Sequence, residues 1–184
     1  MPPSPRLADV FKTFPDQVLP LLAYHDALLR AEGPIEVGDR ELIAAYVSGL
    51  NACNFCFEGH KVFARALGIP DGVIDALMTD IDSAPVDDKL KPILSYVKKL
   101  NELPTRLGQA DAKAVYDAGW SERALYDAIQ IAALFNMMNR IVEGTGVSVV
   151  GSSNAPNESE LEKLRKHSYS GFARTLGLTE SGQS

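Results

Sequence analysis

Apolar residues recur at three- and four-residue intervals along almost the whole of this 184-residue chain, and no segment alternates convincingly at period two over five or more positions. A helix buries a stripe of period 3.6 and a strand a face of period two, so the pattern predicts an all-α fold. After a Pro-rich start, Val18, Leu19, Leu22 and Leu29 predict a first helix near residues 16–31, stopped by Gly33-Pro34. Leu42, Ile43, Tyr46, Val47 and Leu50 mark a second, opening after Gly38-Asp39 with Asp39 or a neighbour as its N-cap. A third carries Cys56, His60, Phe63 and Leu67 on one stripe and ends at Gly68-Ile69-Pro70. Short helices are expected around residues 73–77 and 110–116, with a longer amphipathic one on Leu90, Ile93, Leu94, Val97 and Leu100. Ser121 opens a strong helix to about Glu143 whose uncharged middle reads as a core or interface helix.

Residues 144–156 turn to Gly, Ser and Asn and read as a loop, within which 147–150 extend briefly at most. Residues 158–175 read as one charged last helix, followed by an end expected to fray. The expected organisation is an extension over 1–14, a helical domain over 15–145, and a loop and C-terminal helix over 146–184 that pack on the domain or on a neighbouring subunit. Gly68-Ile69-Pro70-Asp71 and Gly119-Trp120-Ser121-Glu122 each precede an apolar helix about fifty residues apart, which suggests a duplicated helical hairpin.

The formal charge of −6 and a pI near 5.1 argue against a nucleic-acid partner, because phosphate-binding surfaces carry basic clusters. The longest uncharged stretch, 128–139, is too short to span a bilayer and contains Gln130, Asn136 and Asn139. The first thirty residues show no basic segment leading into a long apolar one, so a cytoplasmic protein is expected. In that reducing environment a close thiol pair points to catalysis or metal binding rather than a structural bridge.

Such a pair is present. Both cysteines of the chain, Cys53 and Cys56, and one of its three histidines, His60, fall within eight residues. Three readings fit C-x-x-C-x-x-x-H. Two buried cysteines can serve as small hydrophobes. A structural zinc site needs four ligands, and this segment offers three, with His25 and His167 far off in sequence. A redox dithiol is the third: cysteines three apart at a helix start can reach disulfide distance. The helix N-terminus and an imidazole one turn away both favour thiolate. Glu58 should point away from the apolar face, and Lys61 reads as a solvated charge.

Glu41 stands twelve residues before Cys53. One straight helix would hold them about 18 Å apart, so contact requires a turn, for which Gly49-Leu50-Asn51 is the natural place. If the two helices fold back, Glu41 can orient His60. The alternative is an exposed first-turn glutamate stabilised by the helix dipole.

Arg40-Glu41-Leu42-Ile43-Ala44, Tyr46, Asn51-Ala52-Cys53-Asn54-Phe55-Cys56 and His60 together resemble the signature of the alkylhydroperoxidase D-like branch of the carboxymuconolactone decarboxylase family. Gly119-Trp120-Ser121-Glu122 and the run from Leu134 to Ile141 resemble the second half of members called peroxidase-related enzymes, so the similarity spans roughly residues 15–175. The resemblance implies an all-α helical bundle, homo-oligomers and a cysteine-based peroxidase. By that analogy Cys56 is the peroxidatic thiol, Cys53 the resolving thiol, and Glu41 and His60 the proton relay. A small-molecule peroxide would be the substrate and a thiol or lipoyl-type group the reductant, with no cofactor or metal. Where well-known members carry a histidine directly before the second cysteine, this chain has Phe55, which either packs in the core or makes the pocket apolar and suited to organic hydroperoxides. Two other functions fit the segment: a lyase or isomerase using His60 and Glu41, and a non-enzymatic redox-sensing or zinc-bound oligomer.

Overall fold

The long apolar stripes are helices in the computed structural model, which describes residues 2–147 and 156–178. In chain order these are α1 (Leu7–Thr13), α2 (Pro15–Leu29), α3 (Val37–Leu50), α4 (Asn54–Ala66), α5 (Val73–Thr79), α6 (Lys91–Glu102), α7 (Gln109–Asp117), α8 (Glu122–Thr145), α9 (Glu158–Arg165) and α10 (Tyr169–Thr175). There is no strand among the described residues. The long helix α8 runs through the middle and packs on α2, α3, α4, α6 and α7, which is why its uncharged segment is buried at Ile131, Ala132, Leu134, Phe135 and Met138. Ser121 caps it as expected, its hydroxyl accepting from the Ala124 N–H.

α3 and α4 fold back as an antiparallel hairpin. A β-carbon at Gly38 would lie 2.8 Å from the Leu67 carbonyl oxygen, so a glycine is needed where the start of α3 meets the end of α4. At the other end the chain reverses over Asn51-Ala52. The Cys53 N–H donates to the Ser48 carbonyl and the Ala52 N–H to that of Gly49, both at 3.0 Å, while Ala52 takes φ 55°. This is a Schellman stop with alanine in the left-handed position that glycine normally fills. The same pair of bonds ends α4 at Gly68, α7 at Gly119, α8 at Gly146 and α10 at Gly177. The sequence echo between Gly68 and Gly119 therefore corresponds to one helix stop used repeatedly.

A set of amides ties α3, α6 and α8 together. Asn101 donates to Asn51 at 3.0 Å, Asn51 to Asn139 at 2.9 Å, Asn136 to Asn101 at 2.6 Å, and Asn139 to the Ser48 hydroxyl at 3.0 Å. Asn139 is buried and the other three are half-buried, and each amide gains a partner, as interior polar groups must.

Three expectations change. The Pro-rich start contains α1, whose Val10 and Phe11 are buried. Residues 158–175 are two helices rather than one: α9 ends at Arg165, and Ser168 caps α10 by accepting from the Gly171 N–H. The side chain of Lys61 is not merely solvated, since it forms a two-pronged ion pair with Asp75 at 2.8 and 2.9 Å. The reading of 147–150 as briefly extended falls mostly outside the described residues. No described helix is long and apolar enough to cross a membrane.

Candidate active site

The reversal at Ala52 sets Cys53 at the N-cap of α4 and Cys56 in its first turn. Cys53 is fully buried against Val10, Val142 and Val147. Cys56 opens onto a cavity of about 290 Å³, and His60, one turn along the same helix, lines that cavity as well. Both cysteines are free thiols. The two sulfurs thus differ in access: a molecule entering the cavity meets Cys56, with Cys53 behind it.

The antiparallel hairpin brings Glu41 to His60. The carboxylate is 0% exposed, and its Oε2 lies 2.5 Å from His60 Nδ1. Burial alone would raise its pKa, but the His60 imidazole and then the Arg30 guanidinium outweigh that and hold it below the usual glutamate range. An ionised Glu41 accepts a hydrogen bond from His60 Nδ1, which fixes the orientation of the ring and leaves Nε2 as its other nitrogen. The fold-back does bring Glu41 against His60, and its burial overturns the exposed-glutamate alternative.

The thiols do not follow expectation. Burial, followed by the neighbouring Cys53, pushes Cys56 up to about 12, with an Asn139 hydrogen bond working the other way. Burial likewise raises Cys53. The helix start does not yield a resting thiolate, because an apolar surround penalises the charged form more than the helix terminus favours it. Any reaction at Cys56 therefore needs a base that takes the proton as sulfur attacks.

Four neighbours were not foreseen. All three histidines of the chain line the one cavity, His25 from α2 and His167 from the segment before α10 joining His60. His25 donates from Nδ1 to the Leu21 carbonyl at 2.8 Å, and burial lowers it to about 4, so it is a neutral ring. Arg30 and Tyr169 meet Glu41 on its other oxygen: Arg30 Nη1 at 2.5 Å and the Tyr169 hydroxyl at 3.1 Å both donate to Oε1. The rest of the wall is apolar, with Leu7, Phe11, Leu22, Phe55 and Phe63 among its residues. Phe55 is part of this wall, in keeping with the apolar-pocket reading. No described group of three or more His, Cys, Asp or Glu side chains is placed to hold a metal ion.

The bundle that carries this dithiol, with the buried acid and imidazole behind it, has an all-α fold of the alkylhydroperoxidase AhpD-core type, as two solved structures show. The chain superposes on the AhpD core of an uncharacterized peroxidase-related protein from Ralstonia eutropha JMP134 with a TM-score of 0.71 and 24% identity, covering 83% of this chain and 77% of that one. An uncharacterized peroxidase-related protein from Silicibacter sp. TM1040 matches with a TM-score of 0.72 and 22% identity, over 86% of this chain and 80% of its own. No family model and no curated protein matches the sequence. The two structures support the AhpD-like resemblance at the level of fold.

Proposed function

We propose that this protein is a cysteine-based peroxidase that reduces hydroperoxides through Cys56 and Cys53. The observation that carries the reading is the placement of Cys56 and His60 on one cavity wall with Glu41 bonded directly behind His60. In the first step the Cys56 thiol attacks the terminal peroxide oxygen. The O–O bond breaks, sulfur is oxidised to the sulfenic acid, His60 Nε2 takes the thiol proton, and a proton is returned to the leaving oxygen to give the alcohol. In the second, the Cys53 thiol displaces hydroxide from the sulfenic sulfur, forming the disulfide and releasing water with the thiol proton. A dithiol reductant, lipoyl-type or protein-borne, then restores both thiols by exchange.

The apolar wall suits a hydroperoxide with a hydrocarbon body. It counts against a lyase acting on a carboxylated molecule, because no Lys or Arg is among the residues lining the cavity to bind the carboxylate. A redox sensor would use the same thiols without turnover.

The reading is tested by counting free thiols before and after one equivalent of cumene hydroperoxide. Wild type is expected to lose two, and Cys53→Ser to hold a trappable sulfenic acid on Cys56. Thiols that stay unreacted with several peroxides would sink the proposal. Stoichiometric oxidation without turnover, with lipoyl and thioredoxin-type reductants supplied, would favour the sensor.

A further inference from the structure

Arg30 and Tyr169 lie outside the cavity-facing dithiol segment, yet both end on Glu41. The carboxylate takes three donors: His60 on one oxygen, Arg30 and Tyr169 on the other. Arg30 sits at the C-cap of α2, its Nε donating to the His167 carbonyl at 3.1 Å and its guanidinium 5.0 Å above the Tyr169 ring and 5.5 Å above that of Phe63. Its Nη2 is buried with no partner among the described residues. A guanidinium buried with one nitrogen unpaired is a costly way to fasten two helices, and an apolar pair would do that job as well. What an apolar pair would not supply is a positive charge on Glu41.

That charge matters to the base. A lone buried carboxylate beside an imidazole holds a proton on the ring, and an imidazolium cannot accept one from a thiol. With Arg30 in place the carboxylate is already balanced. We infer that Arg30 and Tyr169 are positioning residues of the relay: Arg30 neutralises Glu41 so that His60 remains a base for the Cys56 proton, and Tyr169 fixes the carboxylate's orientation. The inference rests on the relay described under Proposed function but not on the identity of the oxidant.

Tyr169 arrives through the C-terminal segment, and α2 holds that segment. Asp26, one turn before Arg30, accepts from the Tyr169 N–H at 2.7 Å, the Ser170 N–H at 2.8 Å and the Ser168 hydroxyl at 2.9 Å. Around the relay the titratable groups are His25 and Asp26 from α2, Glu41 from α3, Cys56 from α4, Glu143 of α8 beside Cys53, and His167 with Tyr169. α1 meets the cavity with Leu7 and Phe11 alone. Arg30 is thus the cation in direct contact with Glu41, and its removal raises every proton affinity nearby, whether the proton is counted on His60 or on Cys56.

The test uses the full chain in a Cys53→Ser background, where Cys56 is the sole thiol, and follows its reaction with iodoacetamide and with cumene hydroperoxide against pH. Arg30→Met is expected to move the rising limb of the iodoacetamide profile upward by about one pH unit or more. Arg30→Lys should bring it back, and Tyr169→Phe should move it less in the same direction. A uniform loss of rate with an unmoved limb would make Arg30 a structural residue and overturn the inference. If Arg30→Met does not fold, an unmoved limb in Tyr169→Phe overturns it instead. A shifted iodoacetamide limb in a protein inert to the hydroperoxide would leave the inference standing and remove the peroxidase reading; a peroxide-reactive protein with unmoved limbs would do the reverse.

Discussion

Two polar clusters lie wholly or partly inside this bundle, and they are built on different rules. The amides of Asn51, Asn101, Asn136 and Asn139 are neutral, donate to one another in turn, and close on the Ser48 hydroxyl, whose own proton goes to the Ala44 carbonyl at 2.8 Å. The Glu41 cluster is charged, leaves Arg30 Nη2 without a partner among the described residues, and abuts an apolar cavity containing a thiol. A reciprocal neutral network specifies how α3, α6 and α8 meet and asks nothing further of the protein. A charged, incompletely satisfied cluster at the end of a cavity costs stability, and the proposed proton relay is a role that would offset that cost.

The sharpest separation of the two should come from Glu41→Gln. Without the carboxylate the relay loses its anchor, and the rate of Cys56 oxidation is expected to fall about 10²–10⁴-fold, the usual reach of general-base assistance. The same variant tests the charge through stability. Glu41 is held below 4.5 in the folded protein, so the stability it contributes is complete above its unfolded value and is lost as pH falls through the folded one. Melting temperature measured across the acid range should therefore decline less steeply in Glu41→Gln than in wild type.

The amide cluster should respond in the opposite sense. Asn136→Ala leaves an Asn101 oxygen and one Asn51 donor short of partners, and is expected to lower unfolding free energy by about 2 kcal/mol in denaturant titration. Its pH–rate profile for Cys56 should keep the wild-type limb. A limb that moves would mean that the amides belong to the proton chemistry after all.

The smallest effect concerns the turn between the clusters. Ala52 is exposed and holds φ 55°, where a β-carbon crowds its own carbonyl. Ala52→Gly is expected to stabilise the fold by about 1 kcal/mol, read as a rise in the denaturant midpoint at constant m-value, with Cys56 reactivity unchanged.

Much of this was readable in the chain before folding, for a local reason. Cys53, Cys56 and His60 share one helical stretch, and Glu41 lies only one hairpin away, so spacing alone puts them within reach. Arg30, His25, His167 and Tyr169 meet them only through tertiary packing; the Tyr169–Glu41 bond joins residues 128 apart in sequence. One signal was available: a chain with three histidines has few to spare, and all three line the cavity. The sequence predicts one unbroken last helix because charged residues run through Lys166, and neither the Ser168 cap nor the grip of Asp26 leaves a periodic trace. α1 was hidden by the prolines around it, although Leu7, Val10 and Phe11 already stood at helical spacing. The thiols depart from the sequence expectation because a helix terminus is visible in sequence and the depth of its burial is not.

The hold of Asp26 on residues 168–170 ties the wall of the cavity to the Glu41 cluster. His167, Tyr169 and Phe172 are wall residues of the cavity, and Tyr169 is also a donor to Glu41. Any excursion that lifts this segment both widens the entrance and strips a hydrogen bond from the acid behind the base. On the proposed relay, Glu41 therefore has its full set of donors only while this segment is seated against the cavity. It also means that a protein cut after residue 156 would keep both cysteines, His60 and Glu41 yet lose part of what makes them work together.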